Sequence, residues 1–251
     1  MSEFHHISVL LQECIDGLDI KPDGIYVDGT LGGAGHSSQI AARLTTGRLI
    51  GIDRDLVALK AAGERLAPYA DRVTLVHSNF CDMAHVLQDL NIPGVDGILL
   101  DLGVSSPQLD DGARGFSYMA DASLDMRMNN QDSLSAETVV NTWSQEELKR
   151  ILYNYGEERY APQIAAAICR RRVEKPIKTT LELVDIIRGA MPAAALREKQ
   201  HPAKRSFQAI RIAVNDELGS VEKVMRDAVG CLNPGGRLAI ITFHSLEDRI
   251  V

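Results

Sequence analysis

Apolar residues fall into two recurring patterns along the chain. Short, nearly unbroken apolar runs, each bounded by Gly, Asp or Pro, lie at Gly24–Asp28, Leu49–Asp53, Val73–His77, Gly97–Asp101 and Arg237–Phe243. Runs of this length suit strands buried on both faces, so parallel pairing is expected. Between the first four runs, apolar residues recur at helical spacing near 37–44, 55–67 and 82–90. Strand–helix–strand units this short give an α/β fold, a parallel sheet with right-handed crossovers.

The fifth strand does not follow promptly. About 130 residues separate it from the fourth, far beyond an ordinary crossover. Helical periodicity fills much of the gap, at Ser144–Tyr155, Tyr160–Arg172, Thr180–Met191, Phe207–Val214 and Glu217–Leu232. The segment 108–205 therefore reads as a helical insertion between residues 1–107 and 206–251 of one sheet domain. Asn233-Pro234-Gly235-Gly236 reads as a turn into the last strand.

Ligands of open parallel sheets bind beyond the carboxyl ends of the strands. Asp28, Asp53, Ser78-Asn79-Phe80, Asp101 and His244-Ser245 all fall at such ends. The first strand runs into Asp28-Gly29-Thr30-Leu31-Gly32-Gly33-Ala34-Gly35-His36 and then a helix. Glycines let the backbone touch a ligand there, and the helix start offers free N–H groups, a geometry that grips a nucleotide-like cofactor. Asp53, about 20 residues on, is placed to accept from ribose hydroxyls. The glycines read G-x-x-G-G-x-G, a poor fit to the dinucleotide fingerprint G-x-G-x-x-G. A carboxylate at Asp28 would repel a pyrophosphate and suit the amino group of a methionine moiety. S-adenosylmethionine is thus favoured over NAD. A glycine-rich turn with no ligand is the plainer alternative, and the second acid at Asp53 speaks against it.

The loop Asp101-Leu102-Gly103-Val104-Ser105-Ser106-Pro107-Gln108 is the second informative segment. The exocyclic amine of cytosine or adenine is a poor nucleophile, because its lone pair is delocalised into the ring. An acceptor must hold its N–H groups so that the nitrogen points at a methyl donor. Asp101 fits that role, or a structural one in tying down the loop. Phe116 or Tyr118 could stack on an extruded base, though lone aromatics are more often core. Lys204-Arg205-Ser206-Phe207 offers cations and an aromatic for phosphate contact, or a helix start capped by Ser206. His36 and His244 have no partners at metal-ligand spacing, so no metal is expected.

Charge and composition sharpen the partner. The 251 residues carry a net charge of −7, but residues 149–211 hold 14 Lys/Arg against 6 Asp/Glu. That asymmetry suggests an acidic cofactor domain beside a basic docking surface, with a solvated basic helix face as the bland alternative. No apolar run reaches membrane-span length, and no signal peptide is visible, so a cytoplasmic protein without membrane contact is expected. Cys14, Cys81, Cys169 and Cys231 are scattered, and read as reduced, mostly buried thiols.

The chain resembles the bacterial small-subunit (16S) ribosomal RNA cytosine-N4 methyltransferases of the MraW/RsmH type. The resemblance is carried by His6–Glu13, Asp28-Gly29-Thr30 with Gly35-His36, and Asp101–Asp110. Further on it is carried by Gly115-Phe116-Ser117, Leu124-Asp125-Met126-Arg127-Met128, Tyr155–Arg159, Phe207–Ile212 and Phe243–Arg249. It implies a Rossmann-like class I methyltransferase sheet with an inserted helical domain, S-adenosylmethionine as donor, and a cytidine of the decoding region as acceptor. Cofactor contacts would fall at Ala34, Gly35, His36, Asp53, Phe80, Asp101 and Gln108. Of these, Phe80 would pack on adenine, Asp53 would bind the ribose, and residues 34–36 would hold the methionine end. Asp101 and Asp125 are the candidate catalytic carboxylates. Phe116, Tyr118, Arg127, Lys204 and Arg205 are the candidate RNA contacts, within the small ribosomal subunit, and a homodimer is possible. The family usually continues past Val251 with a basic tail and a last strand, so either the chain is truncated there or its sheet lacks its edge strands. Two other classes remain: a non-catalytic RNA- or ribosome-binding module, and a nicotinamide-dependent oxidoreductase. Methyl transfer separates the first from the enzyme, and calorimetry with NADH beside S-adenosylmethionine separates the second.

Overall fold

The computed structural model describes residues 8–105, 108–109 and 111–251. His6, Ile7, Ser106, Pro107 and Asp110, which belong to two of the resembling blocks, lie outside the described residues. The strands are β1 (Ile25–Asp28), β2 (Arg48–Asp53), β3 (Val73–His77), β4 (Val95–Asp101) and β5 (Leu232–Ile241). They pair in parallel in the order β3-β2-β1-β4-β5. Helices α1 (Leu11–Leu18), α2 (Gly35–Ala41), α3 (Leu56–Leu66) and α4 (Met83–Asp89) precede or link the first four strands. Then come α5 (Ala136–Thr142), α6 (Gln145–Gly156), α7 (Ala161–Glu174), α8 (Thr180–Ala190), α9 (Lys204–Asn215), α10 (Glu217–Cys231) and the short α11 (Ser245–Asp248).

The unbroken apolar runs have the cause anticipated for them. Alternate strand side chains enter two separate cores. Tyr26, Leu49 and Leu99 pack with Ile15 and Leu18 of α1, Ile40 of α2 and Leu66 of α3. Val27, Ile50, Ile98 and Leu100 pack on the other face with Met83 and Leu87 of α4 and Val221 and Val224 of α10. With both faces covered, the interior positions of β1 and β2, and Gly97–Leu100 of β4, are buried and apolar, without polar alternation.

Helices α1, α5 and α11 were not anticipated from the periodicity. Helix α9 starts earlier than expected, with Ala203 at its N-cap. Ser206 is therefore inside the helix and caps nothing, and its buried hydroxyl has no hydrogen-bond partner. The turn at 233–236 sits inside β5. Leu232 pairs with Val95, but the next pair is Gly97 with Arg237, so the intervening residues bulge out of the ladder. The strand ends at Ile241, which leaves Phe243 beyond it.

The chain divides into two compact units, Met1–Ser105 with Leu218–Val251, and Ser106–Glu217. The second boundary falls at Glu217 and not at 205. Helix α9 packs on α6, burying Phe207, Ala209, Ile210 and Ile212, and so belongs to the inserted unit. Within that unit Asn215 is a buried tie: its Oδ1 accepts from Met128 N–H at 2.8 Å and its Nδ2 donates to the Met126 carbonyl at 2.8 Å. Among the described residues no helix is long and apolar enough to cross a membrane.

Candidate active site

Parallel pairing brings the carboxyl ends of the strands to one edge. Asp28 stands beside Gly51 and Leu99 in register, Asp53 beside His77, and Asp101 beside Ile241. Three strands thus end in a carboxylate, but the three are differently occupied.

Asp28 is only 2% exposed. Its oxygens accept from Ser37 Oγ at 2.7 Å and from Thr30 N–H at 3.2 Å. Burial pushes it up to about 6, against those two hydrogen bonds. The sequence suggested that it faces a methionine amino group; instead it braces the glycine-rich loop against α2. Asp53 accepts from the N–H groups of Gly32 and Asp55, both at 2.8 Å, and is likewise raised to about 6 by burial.

Asp101 differs. Its backbone N–H donates to Thr30 Oγ1 at 2.6 Å. Its Oδ2 lies 3.8 Å from His36 Nδ1, while its Oδ1 is buried with no hydrogen-bond partner among the described residues. Burial raises it to about 6; nearby His36 opposes the rise, and Asp28 and Glu247 add to it. His36 is buried, with Nε2 at 3.1 Å from the Val9 carbonyl. A carbonyl only accepts, so Nε2 carries a hydrogen and Nδ1 is turned to Asp101.

The glycines of the loop divide by need. A Cβ at Gly29 would stand 2.6 Å from Leu100 Cδ2 and 3.1 Å from Phe80 Cβ, so backbone and sheet meet too closely for a side chain. A Cβ at Gly33 would meet nothing within 4 Å. Past β5, Glu247 is 1% exposed and its Oε2 accepts from the N–H groups of Phe243 (2.8 Å) and His244 (3.3 Å). Glu247 was not singled out from the sequence. The spacing His244-x-x-Glu247, which here forms a capping box, was the available signal.

Ala34, Gly35, His36, Asp53, Phe80 and Asp101 therefore share one edge of the sheet unit. Their chemistry fits S-adenosylmethionine: the acceptors suit a cation and a ribose diol, and Asp101 Oδ1 awaits a donor. Each bonded oxygen of Asp53 retains a second lone-pair direction. A pyrophosphate would find carboxylates there instead of donors.

Gln108, Asp125 and the candidate RNA contacts lie in the inserted unit. Gln108 is buried. Asp125 and Arg127 bind each other: Oδ1 accepts from Nε and Oδ2 from Nη2, both at 2.8 Å. Burial raises Asp125, but the hydrogen bonds from Arg127 outweigh it and hold the carboxyl below its ordinary value. Such a fork-to-fork pair fastens a loop and leaves neither partner open-handed. Phe116 is buried, with the Arg114 guanidinium 5.7 Å from its ring centroid. Tyr118 stacks on His201 at 4.6 Å and meets Phe207 edge-on at 5.7 Å. His201, Arg159 and Arg205 line a shallow cleft together with Glu158 and Glu198. His201 Nδ1 accepts from Ala203 N–H at 3.2 Å, which leaves Nε2 as the donor. Burial, then the Arg188 charge, lower the His201 pKa. Lys204 is exposed at the start of α9. His201 and Arg159 were not anticipated, since only folding brings them to Tyr118 and Arg205. The cysteines are all free thiols, but only Cys14 is fully buried, and its thiol is pushed up to about 11 mainly by that burial.

Strand order, acid-tipped strand ends, a glycine-rich first loop and an inserted helical unit define the class: a Rossmann-like α/β methyltransferase. Residues 3–251 match the MraW methylase family, and the chain belongs to that family. It is 59% identical over 248 residues to the ribosomal RNA small subunit methyltransferase H of Brevibacillus brevis, covering 98% of this chain and 79% of that one. The protein of the same name from Clostridium botulinum is 60% identical over 250 residues, covering 99% and 80%. That of Symbiobacterium thermophilum is 57% identical over 249 residues, covering 99% and 78%.

Proposed function

We propose that this chain transfers the methyl group of S-adenosylmethionine to the exocyclic N4 of a cytidine in the decoding region of 16S ribosomal RNA, with the small ribosomal subunit as its partner. The observation that carries the reading is Asp101 Oδ1, a buried acceptor at the end of β4 without a donor among the described residues. The names of the relatives, ribosomal RNA small subunit methyltransferases, support the substrate class.

In this reading Asp53 accepts from the ribose, the 34–36 loop holds the methionine end and Phe80 packs on the adenine. S-adenosylmethionine supplies an electrophilic methyl on a sulfonium. Asp101 Oδ1 accepts an N–H of the cytosine amine, which turns the nitrogen lone pair toward that methyl. Formation of the C–N bond would accompany cleavage of the sulfonium S–CH3 bond, the thioether leaving with the bonding pair; the positive charge left on the amine would be stabilised by ionised Asp101, which would accept the departing proton. His36 Nδ1 stands 3.8 Å from Oδ2, beyond hydrogen-bond reach. Asp125 is engaged with Arg127, so the acceptor role rests on Asp101. Tyr118, Lys204 and Arg205 serve the RNA, while Phe116 and Arg127 act by shaping the inserted unit.

The test is transfer of labelled methyl to small-subunit RNA, followed by nucleoside digestion. Label in N4-methylcytidine, lost in Asp101→Ala, is the expected result. Absence of transfer to free RNA, subunits and precursor particles alike, or label on cytosine carbon, overturns the proposal.

A further inference from the structure

The sequence offered Phe116 and Tyr118 as platforms for the acceptor base. The first is buried and the second is already stacked on His201. The sheet unit carries a different aromatic at its active edge. Phe243 is 56% exposed and belongs to neither hydrophobic core. Its position follows from register. Asp101 pairs with Ile241, and the pairing continues through the Leu102 N–H to the Ile241 carbonyl at 3.0 Å. Two residues past each strand end, Gly103 and Phe243 meet: a Cβ on Gly103 would lie 3.5 Å from Phe243 Cδ2. Gly103 itself has φ +94, backbone that a residue with a side chain rarely adopts. The phenyl ring therefore lies across a bare stretch of backbone just beyond the carboxylate that awaits an N–H donor.

The ring is also held. Glu247, almost wholly buried, accepts the Phe243 N–H at 2.8 Å and the His244 N–H at 3.3 Å, and His244 Nδ1 accepts the Glu247 N–H at 3.4 Å. The buried Glu247 carboxylate thus fixes the backbone from which the exposed phenyl projects.

We infer that Phe243 is the stacking platform for the acceptor nucleobase, holding a pyrimidine ring so that its exocyclic amine reaches Asp101 Oδ1. This rests on the methyltransferase reading above. A phenyl face offers stacking without base-specific hydrogen bonds, so the platform supplies affinity and tilt while Asp101 reads the amine.

The experiment measures kcat and KM for small-subunit RNA, together with S-adenosylmethionine affinity by calorimetry, for the wild type and for Phe243→Ala, Phe243→Leu, Phe243→Tyr and Phe243→Trp. The expected result is a loss of kcat/KM for RNA of roughly tenfold to a hundredfold in Phe243→Ala. Phe243→Leu shares that loss, Phe243→Tyr and Phe243→Trp recover most of it, and cofactor affinity stays within about twofold. Recovery by Leu equal to that by Tyr reduces the ring to an apolar filler and overturns the inference. So does wild-type kinetics in Phe243→Ala, or a parallel fall in cofactor affinity. Since Leu, Tyr and Trp all preserve bulk, their comparison stands even where the Ala protein is unstable. A wild-type enzyme inactive on every RNA form overturns the methyltransferase reading itself, an outcome distinct from any ranking of variants.

Discussion

At the scale of single residues, the strand-end carboxylates do different work because their hydrogen bonds differ. Asp101 keeps one oxygen open, and its elevated pKa sets a pH window. The amine acceptor must be ionised, so methyl transfer should be present above about 6 and lost as pH falls through that value. Asp101→Asn should lower kcat by roughly 10²- to 10⁴-fold and flatten the acid limb of the pH–rate profile. A variant whose limb remains at the wild-type pH would assign the titration to another group. Asp28 predicts an effect on stability instead. Its folded-state pKa is raised to about 6 from the ordinary 3.8, so the folded state binds the proton more tightly, and stability from this group falls as pH rises between those values. Ser37→Ala removes the 2.7 Å donor to a carboxylate that is charged at neutral pH. The loss should be about 1–3 kcal/mol at pH 7.5 and smaller at pH 5.5, where the proton replaces the donor. Urea unfolding at the two pH values measures it, and an equal loss at both would remove Asp28 from the explanation.

At the scale of elements, the clearest test is Asn215, which ties the end of α9 to the Met126–Met128 turn. Asn215→Ala leaves the Met128 N–H and the Met126 carbonyl without that partner, and should cost about 2–4 kcal/mol by thermal or urea unfolding. A loss below ~0.5 kcal/mol would show that the turn holds without it. This tie also explains why the inserted unit extends past 205, a boundary the sequence pattern placed too early. The strands were legible because a strand buried on both faces writes a continuous apolar run, and the acids at their ends stood out against it. The long interior helices were legible from one apolar stripe each. Short α1 and α5 were not: α2 and α4 are as short, but the strands on either side of them called for a connecting helix. Nor could the pattern distinguish Asp28 from Asp101. That difference is made by Ser37 and Thr30 reaching one carboxylate and nothing reaching the other oxygen, a matter of ångströms. Tyr118 meeting His201, 83 positions further along the chain, or Glu247 turning back to hold Phe243, likewise depends on tertiary packing.

At the scale of the whole molecule, charge is arranged along the chain more finely than by unit. The inserted unit, Ser106–Glu217, contains 16 Lys/Arg and 16 Asp/Glu, and is neutral as a whole. Its positive excess is confined to 149–211, with 14 basic and 6 acidic residues, while acids predominate before it. Some of those acids are internally spent, as Asp125 is on Arg127. A polyanion would therefore engage a limited basic tract, with Arg159 and Arg205 beside the Tyr118–His201 stack as its best-shaped part. Affinity for small-subunit RNA should fall linearly in log–log terms as salt rises, with each neutralised phosphate adding about 0.7–0.9 to the slope. Replacing Arg159 and Arg205 together by Gln should weaken binding at low salt and reduce the slope by about two, if each contacts one phosphate. Fluorescence anisotropy across 50–300 mM salt, a range of roughly the width used for such slopes, measures both quantities. Lys60→Gln, on α3 of the sheet unit, is the control for loss of charge alone. An unchanged slope in the double variant, or an equal drop in the control, would move RNA recognition away from the cleft and onto the general charge of the chain.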